Sequence, residues 1–424
     1  MTIKIVYMFL LGLWAAVLAN KNIAVYHDGI RPIMGTYVNG TIKKSEMIAI
    51  SFAMSIGLII GFGIPFSISS NIILIHSILL ATDVIGIASP NLYVAGGLGG
   101  LFGVGLTVGL EVVVKVFKAL PVNIMDGLSL LGDPVTIAFS VLPAVAIGYQ
   151  FGYKKGLGGL LLSGLARVLT LRFLKGISIG ESKVSISPDG MALAAGMILL
   201  IALAIMKDRK NSSTSTVSDN ALFSENAEKI KKNRIPLMIG GALISLGASL
   251  LYVGGSPLEL AALQKGQIGN AALVSFINVI GYMPLVVTTG LVSGVWATGG
   301  ICNWLFGIGY LSPTIVSPFV GALGMGVEVY GVKHLAKFMD KYPSIREAGD
   351  HIRTAMTQVL EIALLVGGMI AANAMAPTIG FFVVAGVYII NIIAGTKIVK
   401  MAVGPLAAIF VGVLANILKV LGLM

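Results

Sequence analysis

KDRKNSSTSTVSDNALFSENAEKIKKN (207–233) is the one long polar stretch in a chain of 424 residues that is 56% hydrophobic and only 11% charged. A soluble globular domain carries roughly a quarter charged residues, so the composition excludes a water-soluble enzyme. On either side of the stretch the sequence resolves into apolar runs. They fall at 5–19, 47–66, 71–88, 91–114, 134–152, 156–173 and 189–206 before it. After it they fall at 235–253, 270–284, 286–309, 313–332, 354–374, 378–394 and 402–422. About 20 apolar residues cross a bilayer as a helix, so the expected fold is an all-α polytopic membrane protein. It has about 14 transmembrane segments, or about 11 if the shortest runs fail to cross. The expected domains are a first seven-segment unit (1–206), a cytoplasmic linker (207–233) and a second seven-segment unit (234–424).

The Ser/Thr/Asn-rich centre of 207–233 reads as a flexible linker and its Lys-rich ends as a cytoplasmic loop. Placing it inside puts Lys21, Arg31, Lys43, Lys44, Lys154, Lys155, Lys337, Lys341, Arg346, Lys397 and Lys400 inside as well. Both termini are then outside. The net charge of +11 therefore reports orientation, and no basic stripe interleaved with aromatics points to nucleic acid. The first run, with Lys4 before it and Val17-Leu18-Ala19 near its end, has a signal peptide as its competing reading. The four basic residues after it favour an N-out helix. The single cysteine, Cys302, excludes a disulfide framework.

An odd number of spans per half makes the halves opposite in orientation, the signature of inverted repeats in secondary transporters. A shift of 217 residues lays FGVGLTVGLEVVVKVFKA (102–119) on FVGALGMGVEVYGVKHLA (319–336) and pairs Glu111 with Glu328. Ser51-Phe52 recurs as Ser275-Phe276, and Ala81-Thr82 as Ala297-Thr298. Gly, Thr, Asn and Asp interrupt the runs at 71–88 and 286–309, which are expected to be broken or re-entrant.

Ordered strings carry a resemblance: AVYHDGIRPI (24–33), LPVNIMDGLSLLGDPV (120–135), YQFGYK (149–154), YPSIREAGDHIRTAM (342–356) and EIALLVGG (361–368). They resemble the YhfT family of bacterial inner-membrane proteins over essentially the whole chain, and least in 207–233. The resemblance implies a multi-pass inner-membrane transporter and carries over no binding residues.

Ionisable groups within apolar spans are costly, which makes each a candidate. His76 and Asp83 are two helical turns apart and share a face, with Thr82 and Asn71 on the same segment. Asp83 capping a half-helix is the bland alternative. Thr288, Thr289, Thr298, Asn303, Trp296 and Trp304 supply uncharged hydrogen-bonding groups and aromatics suited to a small polar ligand. Glu328 and Glu361 are further candidates, with a Glu328–Lys333 pair as the structural alternative. Arg167 has two readings, a planar fork that binds a carboxylate or phosphate and, more commonly, a snorkelling side chain. His27, Asp28 and Arg31 read as a rigid cytoplasmic turn, and Arg346 and Asp350 as its analogue, both interfacial or gating. GGLGGLFGVG (96–105) mimics a phosphate loop but lies in an apolar span, where helix packing explains it.

The reading is a secondary active transporter of a small polar, possibly anionic, metabolite, with alternating access and an elevator-type homodimer drawn from analogy. No enzyme signature, cofactor or metal site is expected. The expected partners are the small-molecule substrate, membrane lipids and a coupling ion, H+ or Na+. A phosphotransferase-type permease component and a channel are the alternatives.

Overall fold

A computed structural model describes residues 1–174, 177–179, 182–184, 186–210 and 219–423. In chain order the helices are α1 (Thr2–Asn20), α2 (Ile30–Val38), α3 (Lys44–Leu58), α4 (Ile64–Ser70), α5 (Ile75–Ala88), α6 (Leu92–Ala119), α7 (Ile124–Ser129), α8 (Gly132–Phe151), α9 (Tyr153–Phe173) and α10 (Pro188–Lys210). They continue as α11 (Asp219–Lys232), α12 (Arg234–Ser249), α13 (Pro257–Gln264), α14 (Ile268–Ser293), α15 (Trp304–Leu311), α16 (Ser317–Lys341), α17 (Pro343–Met375), α18 (Ile379–Ile393) and α19 (Lys400–Val420). A π-helical turn, Ile59–Gly63, joins α3 to α4. The strands are two or three residues long: β1 (Ile73–Leu74), β2 (Ile177–Ile179), β3 (Ser182–Val184) and β4 (Val253–Gly254).

Nine helical stretches among the described residues are long and apolar enough to cross a membrane. Shorter apolar helices, α5, α12 and α18, stand beside them. The protein is a helical, multi-pass membrane protein.

Backbone polar groups in hydrocarbon must be satisfied internally, so a break in a span needs a partner inside the protein. Two such breaks are paired across the two halves of the chain. After α1, Asn22 adopts φ 54° and the extended chain brings Ala24 beside Trp296 in a parallel bridge. After α12, Leu251 also adopts φ 54°, and β4 pairs in parallel with β1 through Ile73 and Val253. The turns are closed by the same bond, Ile23 N–H to Leu18 O and Tyr252 N–H to Gly247 O, both 2.9 Å.

Glycine contacts repeat in the same way. A Cβ on Gly12 would lie 2.2 Å from the Gly99 carbonyl, and one on Gly241 2.7 Å from the Gly321 carbonyl. Gly86 lies against Ala16 and Ala19, and Gly309 against Ser245 and Ala248. Helix backbones approach this closely only where side chains are absent, so the glycine-rich run 96–105 serves packing.

Polar links hold α8, α9 and α10 together: Arg167 pairs with Asp189 at 2.8 Å, and Ser140 donates to the same carboxylate. Arg167 is therefore a paired side chain, not a snorkelling one. In α17, α18 and α19, Glu361 accepts from Tyr388 at 2.7 Å and lies 3.5 Å from Lys400.

Several expectations are corrected. The runs 270–284 and 286–309 do not meet at a loop. α14 is continuous to Ser293 with Pro284 inside it, and the chain breaks at Gly294 (φ 69°). Proline is tolerated within a packed membrane helix because neighbours satisfy the freed carbonyl. Most of 207–233 is helical: α10 runs to Lys210, and α11 buries Phe223, Ala227 and Ile230. Its centre, 211–218, lies outside the described residues. Of the sequence pairs, Glu111 lies in α6 and Glu328 in α16, while Ala81-Thr82 lies in α5 and Ala297-Thr298 between α14 and α15.

Candidate functional site

Arg31 decides where the segment after α1 lies. Expected at a cytoplasmic turn, its side chain is fully buried. Its guanidinium donates to the carbonyls of Val25 and Tyr26, each at 2.9 Å, to Thr289 at 3.1 Å and to Asp28. The planar fork thus collects the carbonyls that the broken helix leaves unpaired. On the other edge of the segment Asp83 accepts from the N–H groups of Tyr26 (3.1 Å) and His27 (2.9 Å). His27 turns inward, its Nδ1 accepting from Gly29 N–H and its Nε2 beside the Met54 carbonyl. The segment 24–31 is clamped from both edges, with Arg31 buried beneath it.

The clamp presents the Tyr26 hydroxyl to the interior. It lies 3.3–3.4 Å from the His76 ring nitrogens and accepts from Asn303 Nδ2 at 3.1 Å. The His76 ring meets Phe62 and Tyr26 edge-on, at 5.1 Å each. Asn303, itself at φ 64°, also donates to the Gly255 carbonyl at 3.1 Å. Tyr26, His76, Asn303 and Trp304 are all half-buried. Three separate breaks in helices thus meet at one partly open polar junction.

Beyond Gly255 lies a carboxylate that sequence reasoning missed. Glu259 is fully buried and accepts from Gly255 N–H (2.9 Å), Tyr310 Oη (3.0 Å), Ser256 Oγ (3.1 Å) and Asn278 Nδ2 (3.3 Å). A Cβ on residue 255 would fall 2.8 Å from its oxygen, so only glycine lets the chain approach. In sequence Glu259 sits in PLELAALQK (257–265), between two apolar runs, where it reads as a loop carboxylate. Tyr26, Asn278 and Tyr310 carried no signal beyond their polarity.

Glu328 is also buried, but its partners are different. Trp296 Nε1 (2.6 Å), Ile301 N–H (2.8 Å) and Trp304 Nε1 all donate to it. Gly300, at φ 75°, brings the loop against this carboxylate. The expected Glu328–Lys333 pair is absent, since Lys333 bonds Glu228 of α11 at 3.0 Å. The Lys333 ammonium beside it holds the Glu228 carboxyl below its usual range.

The remaining candidates divide. Thr289 sits at the junction through Arg31. The buried hydroxyls of Thr288 and Thr298 have no hydrogen-bond partner among the described residues. Thr82 bonds its own helix at Leu79, and Asn71 is an exposed left-handed turn residue (φ 58°). Glu361 belongs to the α17–α18–α19 contact and is not part of the junction. Arg346, near Asp340 and stacked on Phe223, and Asp350, paired with Arg353, lie on the helical end that follows α16. Among the described residues no group of three metal-binding side chains occurs.

Residues 4–424 match the profile of the YhfT family, described as a protein of unknown function. The chain is 33% identical, over 436 residues, to the Escherichia coli (strain K12) protein described as uncharacterized protein YhfT. The match covers 99% of this chain and 98% of that protein. The chain belongs to the YhfT family. No solved structure matches it. The clamped segment 24–31 and helix α17 coincide with three of the strings that carried the family resemblance. In this YhfT-family member those strings therefore include both the clamped segment and the long helix α17.

Proposed function

We propose that this protein is a secondary transporter of a small polar solute, built from two inverted seven-span repeats. The observation that carries the proposal is the junction of Tyr26, His76 and Asn303, where broken segments from both halves meet in the protein interior. Discontinuous helices near mid-membrane, at a repeat interface, are how such proteins bind solute. The paired breaks at Ala24–Trp296 and Ile73–Val253 support the repeat, as do the doubled glycine contacts.

The same symmetry divides the molecule into a mobile module and a scaffold. The mobile module comprises α1 to α6 and α12 to α16. The scaffold comprises α7 to α10 and α17 to α19. Glycine contacts lie on the surfaces between them, with Gly57 and Gly61 against Val399 and Ala402, and Gly349 against Pro284. Such contacts favour sliding, as an elevator needs. A homodimer held through the scaffold, in the bacterial inner membrane and coupled to H+ or Na+, completes the reading.

The interior refines the solute class. Asp83, Glu259 and Glu328 are buried, whereas Arg31 is committed to Asp28 and backbone carbonyls. An anionic solute would add to this surplus, so a neutral or cationic one fits better. Proteoliposomes loaded with amino acids, amines or sugars test the proposal by counterflow of the labelled solute. Saturable exchange of one class, lost in Asn303→Ala, is the expected outcome. Flux that needs a phosphocarrier or fails to saturate would replace it with a phosphotransferase component or a channel.

A further inference from the structure

The buried acids differ in what surrounds them. Asp83 is met by two backbone N–H groups, and Glu328 by one backbone and two indole N–H groups. Such groups donate and never accept. An added proton on either carboxyl would face donors alone, so these two positions hold the backbone and the tryptophans in place.

Glu259 is built otherwise. Two of its four partners, Ser256 Oγ and Tyr310 Oη, are hydroxyls, which accept as well as donate. The ionised carboxylate is satisfied by four donors. The protonated acid is satisfied as well, because its own O–H has a hydroxyl oxygen to bond. No Lys, Arg or His pairs with Glu259 among the described residues. The facing titratable groups are Tyr310 on α15 and, across Asn303 and Gly255, Tyr26 with His76 behind it. α14 contributes only the neutral Asn278.

We propose that Glu259 is the proton-binding carboxyl of the transport cycle, in contact with the solute junction through Gly255 and Asn303. This assignment rests on the transporter reading. A proton taken up at Glu259 turns its carboxylate into an acid that donates to Ser256 or Tyr310. Solute arriving at Asn303 alters the Gly255 carbonyl bond, and with it the peptide whose neighbouring N–H faces Glu259. Solute and proton are then exchanged together.

Infrared spectroscopy of the full chain in lipid, titrated with pH and no solute, reads the carboxyl directly. The expected wild-type spectrum has the carbonyl band of a buried protonated acid that changes with pH. That band is absent in Glu259→Gln and retained in Glu361→Gln. If Glu259→Gln does not fold, Tyr310→Phe is expected to move the titration midpoint by about one pH unit, the weight of one hydrogen bond to a charged group. A band that persists in Glu259→Gln, or a midpoint unmoved in Tyr310→Phe, overturns the assignment. So does counterflow by Glu259→Gln with the wild-type pH dependence. Failure of the wild type to exchange any solute would overturn the transporter reading instead, and the infrared titration distinguishes the two.

Discussion

Glu328 illustrates how one side chain can hold a break open. Its three N–H donors come from either side of the Gly299-Gly300 turn, and among the described residues Glu328 is their acceptor. Glu328→Ala leaves two indoles and a backbone N–H unpaired in a buried site. The expected loss is about 3–5 kcal/mol of stability, the range seen when a buried charge network loses a partner. A thermal melt in detergent, followed by tryptophan emission, checks it, and an unchanged melting temperature would contradict it. At this scale the sequence was partly legible. Asp83, His76, Asn303 and Glu328 stood out because polar groups within apolar runs are rare. Glu259 did not, since PLEL between two runs looks like a loop. The burial of Arg31 was not legible, because the orientation rule speaks to the side of the membrane a basic residue takes and not to whether its guanidinium collects backbone carbonyls.

Among the elements, α11 was the least expected. Its apolar face docks against α14 and α16, and Asn226 donates to the Leu291 and Val292 carbonyls at the end of α14. Those carbonyls precede the Gly294 break, so α11 braces the segment that carries Trp296. Asn226→Ala is expected to raise hydrogen exchange across both 219–232 and 290–297, with α1 and α6 unchanged. Confinement of the change to α11 would show that the brace has no hold on the break. The Glu228–Lys333 bond adds a pH term of known sign. Glu228 has a lowered folded pKa, so its contribution is present above the ordinary glutamate value of about 4.3. It is lost as the pH falls through the lowered value. The elements misread from sequence share a cause. The break expected between the runs 270–284 and 286–309 is bridged by α14, and the Lys-rich end of 207–233, read as part of a loop, is helix α11. In both places tertiary contacts override local propensity.

At the scale of the whole molecule, the division into a mobile module and a scaffold makes a claim that cross-linking can test. The pair Gly57→Cys and Val399→Cys, in a Cys302→Ser background, joins the two modules where a Cβ on residue 57 would meet the Val399 side chain. Oxidation is expected to abolish exchange, and reduction to restore it. The pair Ser249→Cys and Ser317→Cys, whose hydroxyls are 3.0 Å apart within the mobile module, is expected to leave exchange intact on oxidation. Exchange that survives the first cross-link would refute relative movement of the modules. The all-helical, multi-pass character was legible in the sequence from the apolar runs alone. The close helix approaches of Gly12 to Gly99 and of Gly241 to Gly321 were not, because in a glycine-rich chain composition does not say which glycine faces which.

The reciprocal bridging of Ala24 to Trp296 and of Ile73 to Val253 has a consequence for biogenesis. Within the first half Arg31 and Asp83 already hold most of the segment after α1, but the Val25 and Ile73 N–H groups find their acceptors only in Trp296 and Tyr252 of the second half. The first half is therefore expected to complete these two breaks only after the second has been inserted. Each half acts as the other's last folding template.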